Sequence, residues 1–183
     1  QQRRAGAVEI DAGLAAAAAL VVDVLARILL EVGADDADAL GNVLFTSNYL
    51  LDQSPESLLT LARSYGELVE RLARPFTAWP NQRDADKVLR VGLVSGDMCQ
   101  HPVGYFLDGV LHALKAQAGD RIQLSGYATL GRHDALTERI KACCAQWCQV
   151  SGMSDEALAS RIRADGIDIL IDLSGHTAHN RSE

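Results

Sequence analysis

Residues Val88–Pro102 read VLRVGLVSGDMCQHP, and this stretch decides the fold. Val88 to Val94 is an apolar run of the length of a buried strand, and Ser95-Gly96-Asp97 breaks it with turn-forming residues. A polar loop then delivers His101 just ahead of Pro102, and Val103 to Ala116 reads as a helix. A buried strand that ends in a polar, histidine-bearing turn before a helix is the opening unit of an α/β sheet that handles nucleotides or sugars.

Downstream, the same alternation repeats. Ile122–Ala128 reads as a second strand, about Asp134 to Gln146 as a helix, and Trp147–Val150 as a short third strand. Ser154-Asp155-Glu156 opens a helix over Ala157–Ala164, Gly166 ends it, and Ile167–Leu173 (IDILIDL) is the fourth strand. Strand–helix units of this length imply parallel strands with right-handed crossovers. The continuous apolar character of the first and fourth strands predicts burial on both faces.

Upstream, the pattern is helix on helix. Ile10, Leu14, Ala17, Val21, Leu25, Ile28 and Val32 form one helical stripe, which Gly33 is placed to end. Asp35 or Asp36 caps a helix from Ala37 to about Leu51, with Leu40, Leu44 and Tyr49 on its packed face. Ser54 and Pro55 open a third helix, which carries Leu58, Leu61, Tyr65, Leu68, Val69 and Leu72 and runs to about Arg74. Pro75–Asp86 is polar, proline-bearing and aperiodic, so it reads as the boundary. Within it, Trp79 is expected to pack a helix against the next domain. The chain therefore reads as a helical part over residues 1–80 and an α/β part over 81–183.

Composition narrows the function. A 183-residue chain with 48% hydrophobic residues can bury a real core. Lys+Arg 17 against Asp+Glu 24 gives a net charge of −7 without a basic cluster, which argues against a nucleic-acid partner. Gln1-Gln2-Arg3-Arg4 before Leu14–Leu30 has the outline of a targeting segment, but Glu9, Asp11, Asp23 and Arg27 interrupt it. That is far from the ~18 clean apolar residues of a membrane span, so a soluble, cytoplasmic protein is expected. Cys99, Cys143, Cys144 and Cys148 lack the spacing of a zinc site or a disulfide framework and read as reduced, mostly buried thiols.

In an open parallel sheet, ligands bind beyond the carboxyl ends of the strands, near the switch in strand order. Two loops leave such ends with dense polar chemistry. Ser95 to Pro102 follows the first strand and holds Asp97 and His101; Ser174 to Arg181 follows the fourth and holds Gly175, His176, Thr177, His179, Asn180 and Arg181. Parallel strands put both loops on one edge, where their histidines can converge on one ligand. The first strand is followed by neither GxGxxG nor a Walker A motif, so neither a dinucleotide nor a P-loop site is indicated. His112, mid-helix, and His133, in a loop, read as structural or solvent-facing, and Asp97 has an alternative role in bonding its own turn.

At these residues the chain resembles a known family. LRVGLVSGDMCQHPVGYFLDGVL, Leu89–Leu111, is similar to the opening of the catalytic region of the O-linked N-acetylglucosamine transferase family and its SPINDLY-type relatives. DGIDILIDLSGHTAHNR, Asp165–Arg181, resembles a second motif of that family in the expected order, and LGNVLFTSNY before SPE resembles the helices that precede the catalytic region. The resemblance covers about Asp36–Arg181.

The resemblance implies a tetratricopeptide-like helical segment followed by part of the Rossmann-like N-terminal lobe of a two-lobed GT-B glycosyltransferase. Such an enzyme is metal-independent and needs no cofactor. It moves a sugar with inversion from a nucleotide sugar to Ser or Thr hydroxyls of acceptor proteins, which bind through the helical repeats. His101 matches the active-site histidine of the family's HP motif, Pro102 shapes that loop, and Gly175, His176 and Thr177 match the Gly-His-Thr motif at the cleft. His101 and His176 are thus the candidate catalytic residues, with Asp97, Pro102, Gly175, Thr177, Asn180 and Arg181 as candidate substrate contacts. A neutral imidazole can accept the proton of the attacking hydroxyl or position the sugar, and Arg181 can answer the charge of the departing diphosphate. The form of the second motif is closer to SPINDLY, which leaves UDP-N-acetylglucosamine and GDP-fucose as alternative donors. A catalytically silent protein-binding scaffold is a further alternative. Relatives continue beyond Glu183 into the rest of this lobe and a donor-binding lobe, so the chain is expected to be part of a longer enzyme.

Overall fold

A computed structural model describes residues 36–48, 53–175 and 181. The chain divides into two compact units, residues 1–74 and 75–183. The stripe Ile10–Val32 and Tyr49 lie outside the described residues.

In the first unit, α1 (Ala37–Ser47) and α2 (Pro55–Leu72) pack on each other. Both start on the side chains that the sequence nominates. Asp36 accepts the Ala39 N–H at 3.0 Å, and Ser54 accepts that of Ser57 at 3.1 Å with Pro55 in the first helical position. Ala37, Leu40 and Leu68 form the buried centre, and Leu61, Tyr65 and Val69 pack around it. Val43, not Leu44, completes the buried face of α1. That helix stops at Ser47, where the Asn48 side chain turns back onto the carbonyls of Leu44 and Phe45. At the other end of the hairpin, α2 ends at Leu72, because Ala73 is already extended.

The second unit is a four-stranded parallel sheet covered on both faces. In chain order it holds β1 (Leu89–Ser95), α3 (Pro102–Ala118), a 3₁₀ turn, β2 (Ile122–Ala128), α4 (Ala135–Cys143), β3 (Gln146–Gln149), α5 (Asp155–Ala164) and β4 (Ile169–Asp172). The strand order is β3-β2-β1-β4, all neighbours parallel. Alternation along the strands splits the core in two. Val91, Leu93 and Leu124 meet Leu107 and Leu111 of α3 and Leu136 and Ile140 of α4, whereas Val94 and Tyr127 meet Leu158 of α5 on the opposite face. Tyr127 is completely buried, and its hydroxyl donates to Asp165 at 2.8 Å; burial pushes its ionisation well above the ordinary tyrosine range.

Three readings of the sequence need correction. β1 is buried as expected from Val91 on, whereas β4 stands at the edge of the four described strands and its four residues are exposed there, Leu170 by 51%. The helix expected to reach Gln146 ends at Cys143, because Gln146 pairs with Ser125 in the ladder. Of the four free thiols only Cys99 is buried; the others are half-buried beside the edge strand β3, although burial still pushes the Cys144 thiol up to about 11. Trp79 lies edge-on to Phe76, and Arg163 of α5 lies over both rings.

Asp168 fastens the amino ends of β1 and β4. Its carboxylate accepts from Lys87 at 2.5 Å, Asn81 at 2.7 Å and the Arg90 N–H at 3.0 Å. These donors, Lys87 foremost, hold its carboxyl down at about 2, against ~3.9 in an unfolded chain. The contribution to stability is therefore complete above pH ~4 and disappears as pH falls toward 2. The variant Asp168→Asn is expected to melt lower than the wild type at pH 7 and to converge with it below pH 3. Parallel melting-temperature curves from pH 7 to pH 2 would show that the clasp contributes nothing.

Candidate active site

The chain passes from β1 outward to β2 and β3, then returns to pair β4 on the other side of β1. The switch in strand order therefore lies between β1 and β4, and the crevice of such a sheet opens at their carboxyl ends. Both polar loops start there. The register pairs Val94 with Asp172, and the Leu173 N–H donates to the Val94 carbonyl at 3.0 Å. One residue on, the buried Ser95 and Ser174 hydroxyls stand 3.5 Å apart.

The first loop is held from within. Ser95 accepts the Asp97 N–H on its hydroxyl at 2.9 Å, and Met98 and Cys99 insert into the core with 2% and 3% exposure. His101 then serves as the N-cap of α3: its backbone is extended, its Nδ1 accepts the Val103 N–H at 3.3 Å, and Pro102 occupies the first helical position. With its Nδ1 lone pair engaged, the neutral imidazole carries its proton on Nε2, a tautomer assigned from the bonding partner. Asp97 lies 3.7 Å from the same Nδ1, beyond a hydrogen bond. The His101 side chain is 39% exposed, so it is placed by the cap and still open to a ligand.

Gly104 makes this loop possible. A Cβ at that position would sit 2.1 Å from the Cys99 carbonyl oxygen and 3.0 Å from that of Asp97. The first turn of α3 thus lies against the loop backbone at a distance that only glycine permits.

The second loop begins as a turn on Asp172, whose carboxylate accepts the N–H groups of Ser174 at 3.1 Å and Gly175 at 2.7 Å. Gly175 takes the left-handed conformation, φ +53°. His176, Thr177 and Asn180 lie outside the described residues. Arg181 binds Asp155 and, at 2.6 Å, the Met153 carbonyl, which sets its guanidinium at the amino end of α5. The structure therefore brings Asp97, His101, Pro102 and the start of the Gly175 loop to one switch point and engages Arg181 with α5. A groove of about 440 Å³ runs along β4 on the α5 side, between Val94, Asp172, Asp155 and Arg181 and the apolar Leu158 and Leu170. A larger hollow of about 940 Å³, near Lys87, Arg90 and Asp168, lies at the amino edge. Ligands of open parallel sheets bind at the carboxyl edge; the smaller groove starts near Asn81 and Asp168 and reaches that edge at Asp172 and Arg181.

One residue of this edge escapes a reading by motif. Asp134, in the loop after β2, accepts the backbone N–H of Gln100 at 2.6 Å. The local signal in the sequence is a cap, Asp134 followed by Thr137, and the structure contains that capping box. Its reach to the histidine loop is tertiary. Elsewhere, His112 is bonded to the Asp108 carbonyl at 2.8 Å, and His133 pairs with Glu138 at 2.6 Å; both histidines are exposed. Among the described residues no helix is long and apolar enough to cross a membrane.

Residues 62–183 match the family description "Glycosyl transferase family 41". The chain is 31% identical over 156 residues to a probable UDP-N-acetylglucosamine–peptide N-acetylglucosaminyltransferase SPINDLY of Petunia hybrida, a match that covers 83% of this chain and 16% of that protein. It is 32% identical over 114 residues to the probable transferase SEC of Arabidopsis thaliana, covering 60% of this chain and 11% of that one. A mutant of Thermobaculum terrenum O-GlcNAc transferase has a similar structure, with a TM-score of 0.77 and 32% identity, over 91% of this chain and 31% of its own. The chain thus spans 11–16% of the length of these two curated relatives.

The glycines of α3 give a direct test of the packed loop. Gly104→Ala is expected to cost about 1–3 kcal/mol by overpacking. The exposed Gly109, with open space around it, is expected to gain roughly 0.5–1 kcal/mol on replacement by Ala. Urea unfolding of the two variants measures both; equal effects would mean that the approach of loop and helix is looser than described.

Proposed function

The chain belongs to glycosyl transferase family 41, and we propose that it forms the opening of the catalytic region of a protein O-glycosyltransferase. In this reading the enzyme moves N-acetylglucosamine from UDP-N-acetylglucosamine to Ser or Thr hydroxyls, and acceptor proteins bind through the helical region. The sheet is the beginning of the N-terminal lobe of a GT-B pair. The observation that carries the reading is the meeting of the His101 loop and the Asp172–Gly175 turn at the switch point of a parallel sheet. The names of the relatives and of the structural neighbour support N-acetylglucosamine as the sugar.

The reaction is an inverting displacement without a metal. The acceptor oxygen attacks the anomeric carbon, the bond from that carbon to the diphosphate oxygen breaks, and UDP leaves with the electron pair. The hydroxyl proton must go to a base, and the leaving oxygen must be stabilised. In the capped geometry His101 offers Nε2–H, a donor, so its role is to hold the sugar or an oxygen on which charge develops. To act as a base at Nε2, it would have to give up the cap and turn its Nδ1 proton toward Asp97. The turn that Asp172 holds at Ser174 and Gly175 starts beside this loop.

The test uses the complete protein that carries this segment, offered UDP-N-acetylglucosamine and GDP-fucose in separate assays with an acceptor peptide. Transfer from the first donor is expected. Asn is as good an N-cap as any residue, so His101→Asn should keep the fold while lowering kcat by roughly 100-fold or more. Transfer from GDP-fucose alone would reassign the donor. Peptide binding without turnover of either donor would replace the enzyme reading with a scaffold.

A further inference from the structure

We propose that Asp134 is a positioning residue for the candidate active site, fixing from a different strand–helix unit the loop that carries His101. The inference rests on the reading of His101 as a site residue.

The two oxygens of the Asp134 carboxylate have separate duties. Oδ1 accepts the N–H groups of Leu136 at 2.9 Å and Thr137 at 3.0 Å, and the Thr137 hydroxyl at 3.3 Å, so it caps α4. Oδ2 accepts the Gln100 N–H at 2.6 Å, across 34 residues of chain. These bonds hold the carboxyl below its ordinary range, with the Gln100 N–H as the leading cause. An ionised acceptor makes each of them stronger than a neutral pair would be.

The anchor is firm at its base. Thr137, Leu136 and Ile140 are buried to within 2% of completely, which seats the start of α4 in the core beneath β2. At the other end, the Gln100 N–H belongs to the Cys99–Gln100 peptide, one before that of His101, whose own N–H donates to the Cys99 carbonyl at 2.6 Å. The loop is thus fixed on the β1 side by Ser95 and Cys99 and on the α4 side by Asp134. Without the second tether, Gln100 loses its bond to α4, and the imidazole is placed from the β1 side and by the cap alone. A displacement of about 1 Å at a reacting centre is enough to cost up to 100-fold in rate.

The division of labour makes the proposal separable from folding. Asn at position 134 caps α4 as well as Asp, but its amide group offers one acceptor oxygen and one donor nitrogen. With Oδ1 on the helix, the nitrogen faces the Gln100 N–H, and the tether is lost. Ser at 134 likewise caps the helix and is too short to reach Gln100.

The experiment compares Asp134→Asn, Asp134→Ser and His101→Asn in the complete protein, with UDP-N-acetylglucosamine as donor. Both Asp134 variants should lower kcat by about 10-fold to 100-fold while the donor KM stays within about twofold. Hydrogen exchange should quicken in residues 96–101 and stay unchanged in 135–143. Unaltered exchange at 96–101, or a kcat within twofold of wild type beside an inactive His101→Asn, overturns the positioning role alone. Full activity in His101→Asn overturns the site reading itself, whatever the Asp134 variants do.

Discussion

The placement of β4 beside β1 is the constraint from which the rest of this architecture follows. Adjacent strands lie about 4.8 Å apart, so the loops that leave β1 and β4 begin within one strand spacing of each other. Had the chain continued outward from β3, the same second loop would start roughly 15 Å from His101. The return to β1 makes that strand central and buries Ser95 beneath both loops. It also commits the Val94 carbonyl to Leu173 and the Ser95 carbonyl to Thr129, so three connections share one floor. Two short polar segments, distant in sequence, begin side by side because a hydrogen-bond ladder requires it.

How much of this was legible depends on which kind of information each residue carries. His101-Pro102 is a local signal, a cap followed by a proline that needs no N–H, and the helix begins where that signal puts it. The apolar run of β1 correctly announces a central strand. IDILIDL makes the same announcement and stands at the edge of the four described strands. An apolar run reports the chemistry of the side chains and not the number of neighbours, so centre and edge look alike. The end of α4 fails to show for a related reason: ACCAQW continues an acceptable helical pattern, and only the pairing of β3 with β2 takes Gln146 away. Asp134 lies between these cases. Its cap is written in four residues, while its bond to Gln100 exists only once β1 and β2 are side by side.

The acidic balance of the chain takes on a meaning in this structure. Several carboxylates serve as acceptors for backbone N–H groups at points where the chain turns: Asp36 and Asp134 at helix starts, Asp172 at the second loop, and Asp168 at the amino edge. A carboxylate accepts several bonds at once and donates none, which suits it to gathering N–H groups that no ladder uses. At these four positions the negative charge is structural in use, and it sets turns and loops.

That arrangement bears on how an anionic nucleotide sugar would be met in the proposed reaction. Asp97 and Asp172 bring negative charge to the carboxyl edge, and Arg181 directs its guanidinium to Asp155. The first loop therefore answers a ligand with hydrogen-bond donors more than with cations. His101 contributes Nε2–H, and it can do so because the Val103 N–H holds the opposite nitrogen. The amino end of α3 adds the partial positive charge of the helix dipole beside the same residue. A donor fixed by a helix cap, on a loop tethered at both sides, needs little rearrangement when charge develops on the leaving oxygen. Such a group stabilises the transition state by being already in place, which is why the cap of α3 and the anchor on α4 matter as much here as the imidazole they hold.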